Sequence, residues 1–288
     1  MIDIKYVKDR LPKRLSFQNK GNFGHILIIG GSVGMSGSVC MSAMGALRSG
    51  AGLVTVAVPR DILPVVAVKT TESMTLPLSS ADGVFALGAA KELGSFLPKA
   101  NAAAFGMGAR TGGGTTRLAE RLLSAFDGTL VIDADGLNTL AQNPELLQTE
   151  RKCSVILTPH LGEMARLSGA SVEDVQGARE TCAKEFAQKT DTVVVLKGEK
   201  TVISDGKTVL VNPTGNVGMA TGGSGDVLSG IIASLAGQGL TPLESAACGA
   251  YLHGLAGDIA VKDKTAFGLI AGDLIEYLPR TFHAVLNG

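Results

Sequence analysis

NPTGNVGMATGGSGDVLSGIIASLAG, residues 212–237, joins a glycine-rich loop to a mostly apolar helix that we predict to begin at Gly225. Five glycines lie between Gly215 and Gly225. Glycine lets consecutive backbone N–H groups turn inward, and the first turn of a helix adds unpaired N–H groups and the positive end of the helix dipole. The stretch therefore predicts an anion-binding site of the kind that holds a phosphate group.

Asp226 lies in the first turn of this predicted helix. A carboxylate there is placed to accept a proton from a hydroxyl held beside the bound phosphate, which indicates phosphoryl transfer. The alternative is a structural role, because an acidic residue in a first turn also complements the helix dipole. The glycine density favours the phosphate-binding interpretation.

Short apolar runs, each followed by a polar or glycine-rich loop, recur along the rest of the chain. We predict strands at His25–Ile29, 53–58, Ala102–Phe105, 130–132, 155–157 and Val193–Leu196, and a hairpin of 201–204 with 208–211 near a sheet edge. Helical segments are predicted at 38–49, 115–125, 136–141, 161–167, 172–188, 245–261 and 269–278. This alternation is typical of parallel strands joined by crossovers.

The predicted fold class is α/β, with one domain over residues 1–288 and a central, mostly parallel sheet flanked by helices on both faces. In open α/β sheets, ligands bind at the carboxyl ends of the strands. We therefore expect the loops that follow the strands to converge on one cleft.

Composition excludes several classes of function. The chain has 26 basic and 26 acidic residues and no formal net charge, so a nucleic-acid surface or a polybasic membrane patch is not indicated. Its four cysteines are widely spaced, without the pattern of a zinc site. Residues 25–47 contain no aspartate, glutamate, lysine or arginine, but glycines and serines interrupt them, which argues against a membrane span. The N-terminus has no apolar core typical of a secretory signal, and we expect a cytoplasmic enzyme.

Two common nucleotide-binding motifs are not supported. The Walker A pattern is absent, although GEKT at residues 198–201 resembles its end. Gly106 and Gly108 begin like a dinucleotide fingerprint, but the next glycine falls at position 112, one residue late.

Polar residues that follow three of the predicted strands are candidates for the cleft. Asp133 ends a buried strand, where a carboxylate needs a partner. His160 and Glu163 follow the next strand, and Lys197 ends another. Their alternatives are a surface histidine, a first-turn acid and a solvated lysine. His253, in a predicted helix, is interpreted as a buried or interface residue.

The ordered set GGSVGMSG, GMGARTG, DADGLN, LTPHLGEMARL, VVLKGEKT and NPTGNVGMATGGSGDVLSG resembles the NAD(P)H-hydrate dehydratases of the ribokinase-like superfamily. The resemblance covers about residues 20–278, and the chain is most similar in pattern to the stand-alone, ADP-dependent form found in bacteria. It implies dehydration of the S epimer of hydrated NADH or NADPH, by phosphorylation of the ring hydroxyl and loss of phosphate, with AMP as the other product. It also implies ADP or ATP as co-substrate, Mg²⁺, a homotetramer and no nucleic-acid or membrane partner.

The resemblance also implies roles for individual residues. Asp226 is the expected base, and Ser38, Gly108 and His160 join it in contacting the hydrated nucleotide. The expected contacts of the adenine nucleotide are Lys197, Gly198, Glu199, Lys200, Thr201, Asn216, Gly223 and Gly225. Glu163 is expected to hold Mg²⁺ through water. Ser38 departs from the family pattern, in which alanine is expected.

Two alternative functions remain open from the sequence. A small-molecule kinase of the same fold, acting on a hydroxymethylpyrimidine, a thiazole alcohol or a sugar, needs the same anion site and the same aspartate. A nucleotide-sensing protein without turnover needs only the binding loop. The TPHLGE and DADGLN loops favour the dehydratase.

Overall fold

The computed structural model describes residues 1–288, and nine of its eleven strands form one sheet. The strands are β1 (His25–Ile29), β2 (Leu53–Pro59), β3 (Met74–Leu78), β4 (Ser80–Ala81), β5 (Val84–Phe85), β6 (Ala102–Phe105), β7 (Thr129–Ile132), β8 (Ser154–Leu157), β9 (Val193–Leu196), β10 (Val202–Ser204) and β11 (Val209–Val211). The sheet order is β11-β10-β9-β8-β7-β6-β1-β2-β3, and β4 pairs with β5 in a small separate hairpin. All pairings in the large sheet are parallel except those of β10 with β9 and β11.

Twelve helices complete the fold. They are α1 (Ile4–Lys8), α2 (Ser36–Arg48), α3 (Leu63–Lys69), α4 (Ala89–Gly94), α5 (Gly113–Ala125), α6 (Asp135–Gln142), α7 (Leu161–Ser168), α8 (Val172–Gly177), α9 (Arg179–Thr190), α10 (Ser224–Gly237), α11 (Pro242–Gly268) and α12 (Ala271–Asn287). None of them combines the length and the apolar character that crossing a bilayer requires.

Alternate side chains of the central strands point to opposite faces of the sheet, and both faces are buried. In β1, Ile26 and Ile28 belong to a core shared with α2, α10, α11 and α12, whereas Leu27 and Ile29 belong to a core shared with α4, α5 and α6. Strands buried on both sides read as continuous apolar runs, which is why β1, β6 and β9 were predicted with correct bounds. The predicted α/β class, with helices on both faces, is confirmed.

Small residues bring α10 close to α2. A β-carbon on Gly230 would overlap the carbonyl of Ser42, and one on Gly45 would approach the Val227 carbonyl to 2.7 Å. This close packing seats α10 against the sheet, with its first turn at the carboxyl ends of the strands.

The strand order reverses between β1 and β6, so the loops that follow these two strands meet. Gly31 N donates to Met107 O at 2.8 Å, and Ser32 Oγ donates to Gly108 O at 2.8 Å. A crevice at such a switch point is the usual ligand site of an open α/β sheet.

Two local predictions were wrong or incomplete. The segment 172–188 is two helices instead of one, because Ala178 leaves the helical region with φ −135° and ψ 41°. Strand β3 was missed, since Pro77 argues against a strand; it is tolerated because β3 lies at the edge of the sheet.

Candidate active site

The glycine-rich loop ends where α10 begins, at Ser224, one residue before the predicted start. Gly223 adopts φ 91° and ψ −15°, a left-handed conformation that side chains other than glycine rarely adopt. No side chain caps the helix, and the N–H groups of Gly225 and Asp226 have no hydrogen-bond partner within the chain, so they are free to bind a ligand. The predicted anion-binding geometry is therefore present; we call residues 223–226 the anion-binding turn.

Asp226 is half-buried in this turn, close to other charged groups. Burial raises the pKa of its carboxyl group to about 6, and the negative charge of Asp133 acts in the same direction. The Ser38 hydroxyl and the Lys197 ammonium oppose the shift. A carboxylate with a pKa near neutrality and no salt bridge is suited to accept a proton.

Asp133, at the end of β7, is 1% exposed and fully partnered. Lys197 Nζ lies 2.8 Å from Oδ1, Ala134 N donates to Oδ1 at 2.9 Å, and Ser229 Oγ donates to Oδ2 at 2.7 Å. Burial alone would raise the pKa of Asp133, but Lys197 and these hydrogen bonds bring it below its usual value. Asp133 is thus a fixed anion.

Lys197 joins two acids at the strand ends. Besides Asp133, its ammonium lies 3.6 Å from Glu163 Oε2. Burial would lower the pKa of Lys197, but the charges of Asp133 and Glu163 raise it overall. A β-carbon on Gly225 would lie 3.4 Å from Lys197 Nζ, so this cation borders the anion-binding turn. We call Asp133, Glu163, Lys197 and Ser229 the strand-end cluster.

His160 and Glu163 form a capping box at the start of α7. Glu163 Oε2 accepts from His160 N at 2.8 Å, and His160 Nδ1 accepts from Gly162 N at 3.0 Å. Because Nδ1 accepts, the ring proton lies on Nε2, which is 3.5 Å from Glu163 Oε1, and the ring is half-exposed. The first-turn interpretation of Glu163 is correct, yet its buried carboxylate also contacts Lys197.

Ser38 and Gly108 lie together on the other side of Asp226. A β-carbon on Gly108, which has φ 64°, would lie 3.1 Å from Ser38 Oγ and 3.0 Å from the Met35 carbonyl. Glycine is needed here for both its conformation and its space. The structure thus brings Ser38, Gly108 and Asp226 into one crevice, and their contact with a hydrated nucleotide stays a prediction.

The loop 197–201 divides between the crevice and a cavity. Lys197 points to the strand-end cluster, whereas Gly198, Glu199 and Lys200 line a cavity of about 590 Å³ together with parts of α8 and α9. Arg179 holds the loop, since its guanidinium donates to the carbonyls of Glu199 and, at 3.1 Å, of Leu196. Thr201 Oγ1 donates to Gly198 O at 3.0 Å and closes the turn.

A second cavity, of about 380 Å³, also borders α7, through Arg166, whereas the first borders it through Leu161. Its lining is almost entirely polar and comprises Thr111, Asp135, Asn138, Ala141, Gln142 and Arg166. Arg166 Nε donates to Asn138 Oδ1 at 3.1 Å, and neither terminal nitrogen of its guanidinium has a hydrogen-bond partner in the protein. This cavity can therefore hold a polar or anionic group.

Three of the six non-glycine residues with a positive φ lie in loops at these strand ends. Arg110, Ala134 and Lys200 have φ values of 56°, 49° and 53°, although none of them is glycine. Each lies in a loop that follows a strand of the sheet, and such outliers cluster at functional sites.

Asn216 differs from the other predicted nucleotide contacts. Its side chain is already hydrogen-bonded, with Nδ2 donating to Asp258 Oδ1 at 2.9 Å and Oδ1 accepting from Gly218 N at 3.0 Å. Its nucleotide contact stays a prediction. Sequence reasoning missed Ser229, Arg179 and Asp258, which lie in helices and act through partners distant in the chain. No group of three or more histidine, cysteine, aspartate or glutamate side chains is arranged to hold a metal ion.

Comparison with known proteins identifies close relatives. A family model described as NAD(P)H-hydrate dehydratase matches residues 26–280. The chain is 43% identical over 282 residues to a bifunctional NAD(P)H-hydrate repair enzyme of Moorella thermoacetica, covering 97% of this chain and 53% of that enzyme. It is 38% identical over 266 residues to an ADP-dependent (S)-NAD(P)H-hydrate dehydratase of Neisseria meningitidis, covering 91% and 86%.

A solved structure is similar over almost its whole length. The ADP/ATP-dependent NAD(P)H-hydrate dehydratase of Bacillus subtilis, co-crystallized with ATP and Mg²⁺, has a TM-score of 0.86 at 30% identity, covering 98% of this chain and 97% of that one. The expected ribokinase-like fold is confirmed. The chain spans about half the length of several bifunctional relatives.

Proposed function

The chain belongs to the NAD(P)H-hydrate dehydratase family, and we propose that it converts the S epimer of hydrated NADH and NADPH back to NADH and NADPH. In the proposed reaction ADP phosphorylates the ring hydroxyl, after which phosphate leaves and AMP is released. The observation that carries the proposal is the position of Asp226, a carboxylate with a pKa of about 6 in the first turn of an uncapped helix.

Asp226 is the proposed base. As the ring hydroxyl attacks the terminal phosphoryl group, it becomes acidic, and an ionised carboxylate within reach accepts its proton. A pKa of about 6 leaves Asp226 ionised at neutral pH and basic enough for this transfer. Ser38 and Gly108 form the wall of the crevice against which the ring would lie.

The anion-binding turn is proposed to hold the transferring phosphoryl group. Its N–H groups, including those of Gly223 and Gly225, would stabilise the negative charge that spreads over the phosphoryl oxygens in the transition state. Lys197 adds a positive charge beside this turn, since its Nζ lies 3.4 Å from where a β-carbon on Gly225 would be. The salt bridge with Asp133 fixes the position of the ammonium group.

The adenine nucleotide is proposed to lie over the loop 197–201. The cavity of about 590 Å³ is lined by Gly198, Glu199 and Lys200, which follow Lys197 in the chain. In the proposal the phosphates of a nucleotide bound there reach the anion-binding turn past Lys197. Arg179 would keep the loop in place through the carbonyls of Leu196 and Glu199.

Mg²⁺ fits this arrangement only indirectly. Both oxygens of Glu163 already face N–H groups of His160 or Lys197, so the carboxylate is not free to become a direct ligand. Mg²⁺ commonly keeps several waters and binds through one or two carboxylates and substrate phosphates, which agrees with contact through water. The ion would supply neutralisation of phosphate charge.

The hydrated nucleotide is proposed to extend from the crevice into the cavity of about 380 Å³. His160, which begins α7, would contact its reacting end, and Arg166, on the same helix, would meet its distal anionic groups. The ring hydroxyl is a poor leaving group at neutral pH, whereas its phosphate ester leaves readily. The ring nitrogen can then donate its electron pair as phosphate departs.

The decisive experiment incubates the purified protein with hydrated NADH and either ADP or ATP. We expect the absorbance of reduced nicotinamide to return, with one AMP and one phosphate formed per NADH when ADP is used. A small-molecule kinase would instead accumulate a phosphorylated alcohol without NADH. Nucleotide binding with no turnover of any substrate would indicate a sensing protein.

We also propose a cytoplasmic homo-oligomer, with a tetramer as the expected state. Support comes from large apolar side chains that are exposed in the single chain, among them Val217 at 81%, Phe267 at 104% and Ile270 at 59%. Exposed apolar groups of this kind are often covered in an assembly. Light scattering after size-exclusion chromatography gives the mass directly.

A further inference from the structure

One face of α11, between residues 250 and 258, contacts the start of the glycine-rich loop. Residues 250, 251, 254 and 258 follow the spacing of one helical face, and each touches the loop. Asn212 Nδ2 donates to Ala250 O at 3.1 Å, and Thr214 Oγ1 donates to Tyr251 O at 2.9 Å. Gly254 permits this approach, because a β-carbon there would overlap Thr214.

Asp258 binds the loop at its first glycine. Its Oδ2 accepts from Gly215 N at 2.9 Å, and its Oδ1 accepts from Asn216 Nδ2 at 2.9 Å. Asn216 Oδ1 in turn accepts from Gly218 N at 3.0 Å. One carboxylate thus holds Gly215 and Asn216 directly and Gly218 through Asn216.

His253 binds the loop at its other end. The ring is buried, and Nε2 lies 2.9 Å from Ser224 O, so it donates its proton to that carbonyl. The peptide unit between Ser224 and Gly225 is planar, and its N–H points opposite to its C=O. Fixing the Ser224 carbonyl therefore fixes the direction of the Gly225 N–H, which belongs to the anion-binding turn.

We propose that this face of α11 is the template that shapes the glycine-rich loop before α10, and that Asp258 and His253 are positioning residues for phosphoryl transfer. The proposal rests on the proposed function for its kinetic consequence. Neither side chain needs to touch a substrate: Asp258 and His253 hold the two ends of residues 215–224, and the Gly225 N–H just beyond them belongs to the anion-binding turn.

The first test replaces Asp258 by alanine. We expect kcat to fall about 10- to 100-fold while KM for ADP changes less than about threefold, because donors aimed at the transition state affect kcat most. Asp263→Ala is the matched control. Asp263 lies on the same helix and also accepts two hydrogen bonds, but from Tyr277 and Arg280 of α12. The kcat of Asp263→Ala should equal that of the wild type.

A reciprocal exchange separates positioning from a general loss of structure. In the double variant Asp258→Asn with Asn216→Asp, residue 258 can still accept from Gly215 N and can donate to the new carboxylate, which can accept from Gly218 N. We expect this pair to recover most of the kcat lost in Asp258→Asn alone. Failure of the exchange to recover activity, or wild-type kcat in Asp258→Ala, would overturn the proposal.

The test of His253 compares glutamine with leucine. Glutamine carries an amide N–H that can replace Nε2, whereas leucine fills the space without a donor. His253→Gln should keep kcat within about threefold of the wild type, and His253→Leu should lose about tenfold or more. Equal kcat values in the two variants would contradict a positioning role for His253.

Hydrogen exchange distinguishes failure of this proposal from failure of the proposed function. Without any substrate, the amides of residues 215–225 should exchange faster in Asp258→Ala than in Asp263→Ala. The exchange rates of amides in the sheet should be the same in the two variants. This result supports the template even if the protein does not dehydrate hydrated NADH. Unchanged exchange in the loop would overturn it, even if the wild type is active.

Discussion

The strand-end cluster and the anion-binding turn lie side by side, and each contains an aspartate. The pKa values of these two aspartates are shifted in opposite directions. In the cluster, Asp133 is buried with a lysine and two hydrogen-bond donors, so its pKa falls below the usual value. In the turn, Asp226 has no salt bridge and faces the charge of Asp133, so burial raises its pKa to about 6. The difference shows what decides the role of a buried carboxylate. It is a fixed anion where a cation and hydrogen-bond donors offset the effect of burial, and it can act as a base where they do not.

The largest effect is expected from Asp226→Asn. Loss of a general base lowers turnover by about 10²–10⁴-fold, whereas nucleotide affinity should stay within about threefold of the wild type. Turnover of hydrated NADH and calorimetric binding of ADP measure the two quantities. Asp263→Asn, a matched change outside the crevice, should keep full activity, and full activity in Asp226→Asn would refute the assignment of the base.

The next effect concerns the stability of the strand-end cluster. Lys197→Met leaves Asp133 buried without its cation, which should lower the free energy of unfolding by about 3–5 kcal/mol. Urea unfolding measures the change. In Lys264→Met, which removes a more exposed lysine from its pairs with Asp273 and Glu276, the loss should stay within about 1 kcal/mol. Equal losses in the two variants would show that burial does not distinguish these pairs.

Asp226→Asn should also make the folded protein more stable above pH 6. The pKa of Asp226 is raised from 3.8 unfolded to about 6 folded, so its stabilising contribution is complete below pH 3.8 and is lost as the pH rises through 6. Removing the ionisable group should therefore raise the free energy of unfolding at pH 7.5 by about 1–2 kcal/mol, a value reduced for partial exposure. The gain should vanish towards pH 4, and a gain that is constant with pH would contradict this origin.

The smallest effect is expected from Ser38→Ala. The Ser38 hydroxyl lowers the pKa of Asp226, so its removal should move the acid limb of the kcat/KM profile upward by about a few tenths of a pH unit. Asp133→Asn removes a negative charge and should move the same limb downward, by roughly one unit. Shifts in the same direction would show that the limb does not report Asp226.

The strands were predictable because their evidence is local. β1, β6 and β9 are runs of apolar residues between glycines or polar residues, and burial on both faces makes the pattern continuous. The helix break at Ala178 and the edge strand that contains Pro77 could not be predicted from the sequence. A weak helix end and a tolerated proline both depend on what packs beside them.

The sequence named Asp133, Lys197 and Asp226 as candidates for the site, but it did not indicate which side chains contact one another. Lys197 was expected to contact the nucleotide, and a solvated lysine was the alternative; its salt bridge with Asp133 joins residues 64 positions apart. Ser229, 96 positions from Asp133, carried no sequence pattern that indicated a contact. The two hydrogen bonds of Asp258 likewise cross more than 40 positions.

By itself, the sequence determined most of the alternating strands and helices, the glycine-rich loop before α10 and the residues that follow each predicted strand, because periodicity and glycine placement act over a few neighbouring positions. Only the tertiary structure decided that Asp133 is paired and Asp226 is not, that α11 braces the loop, and that two cavities border α7. The physical reason is that a pKa and a hydrogen-bond network depend on burial and on charges brought together from distant parts of the chain.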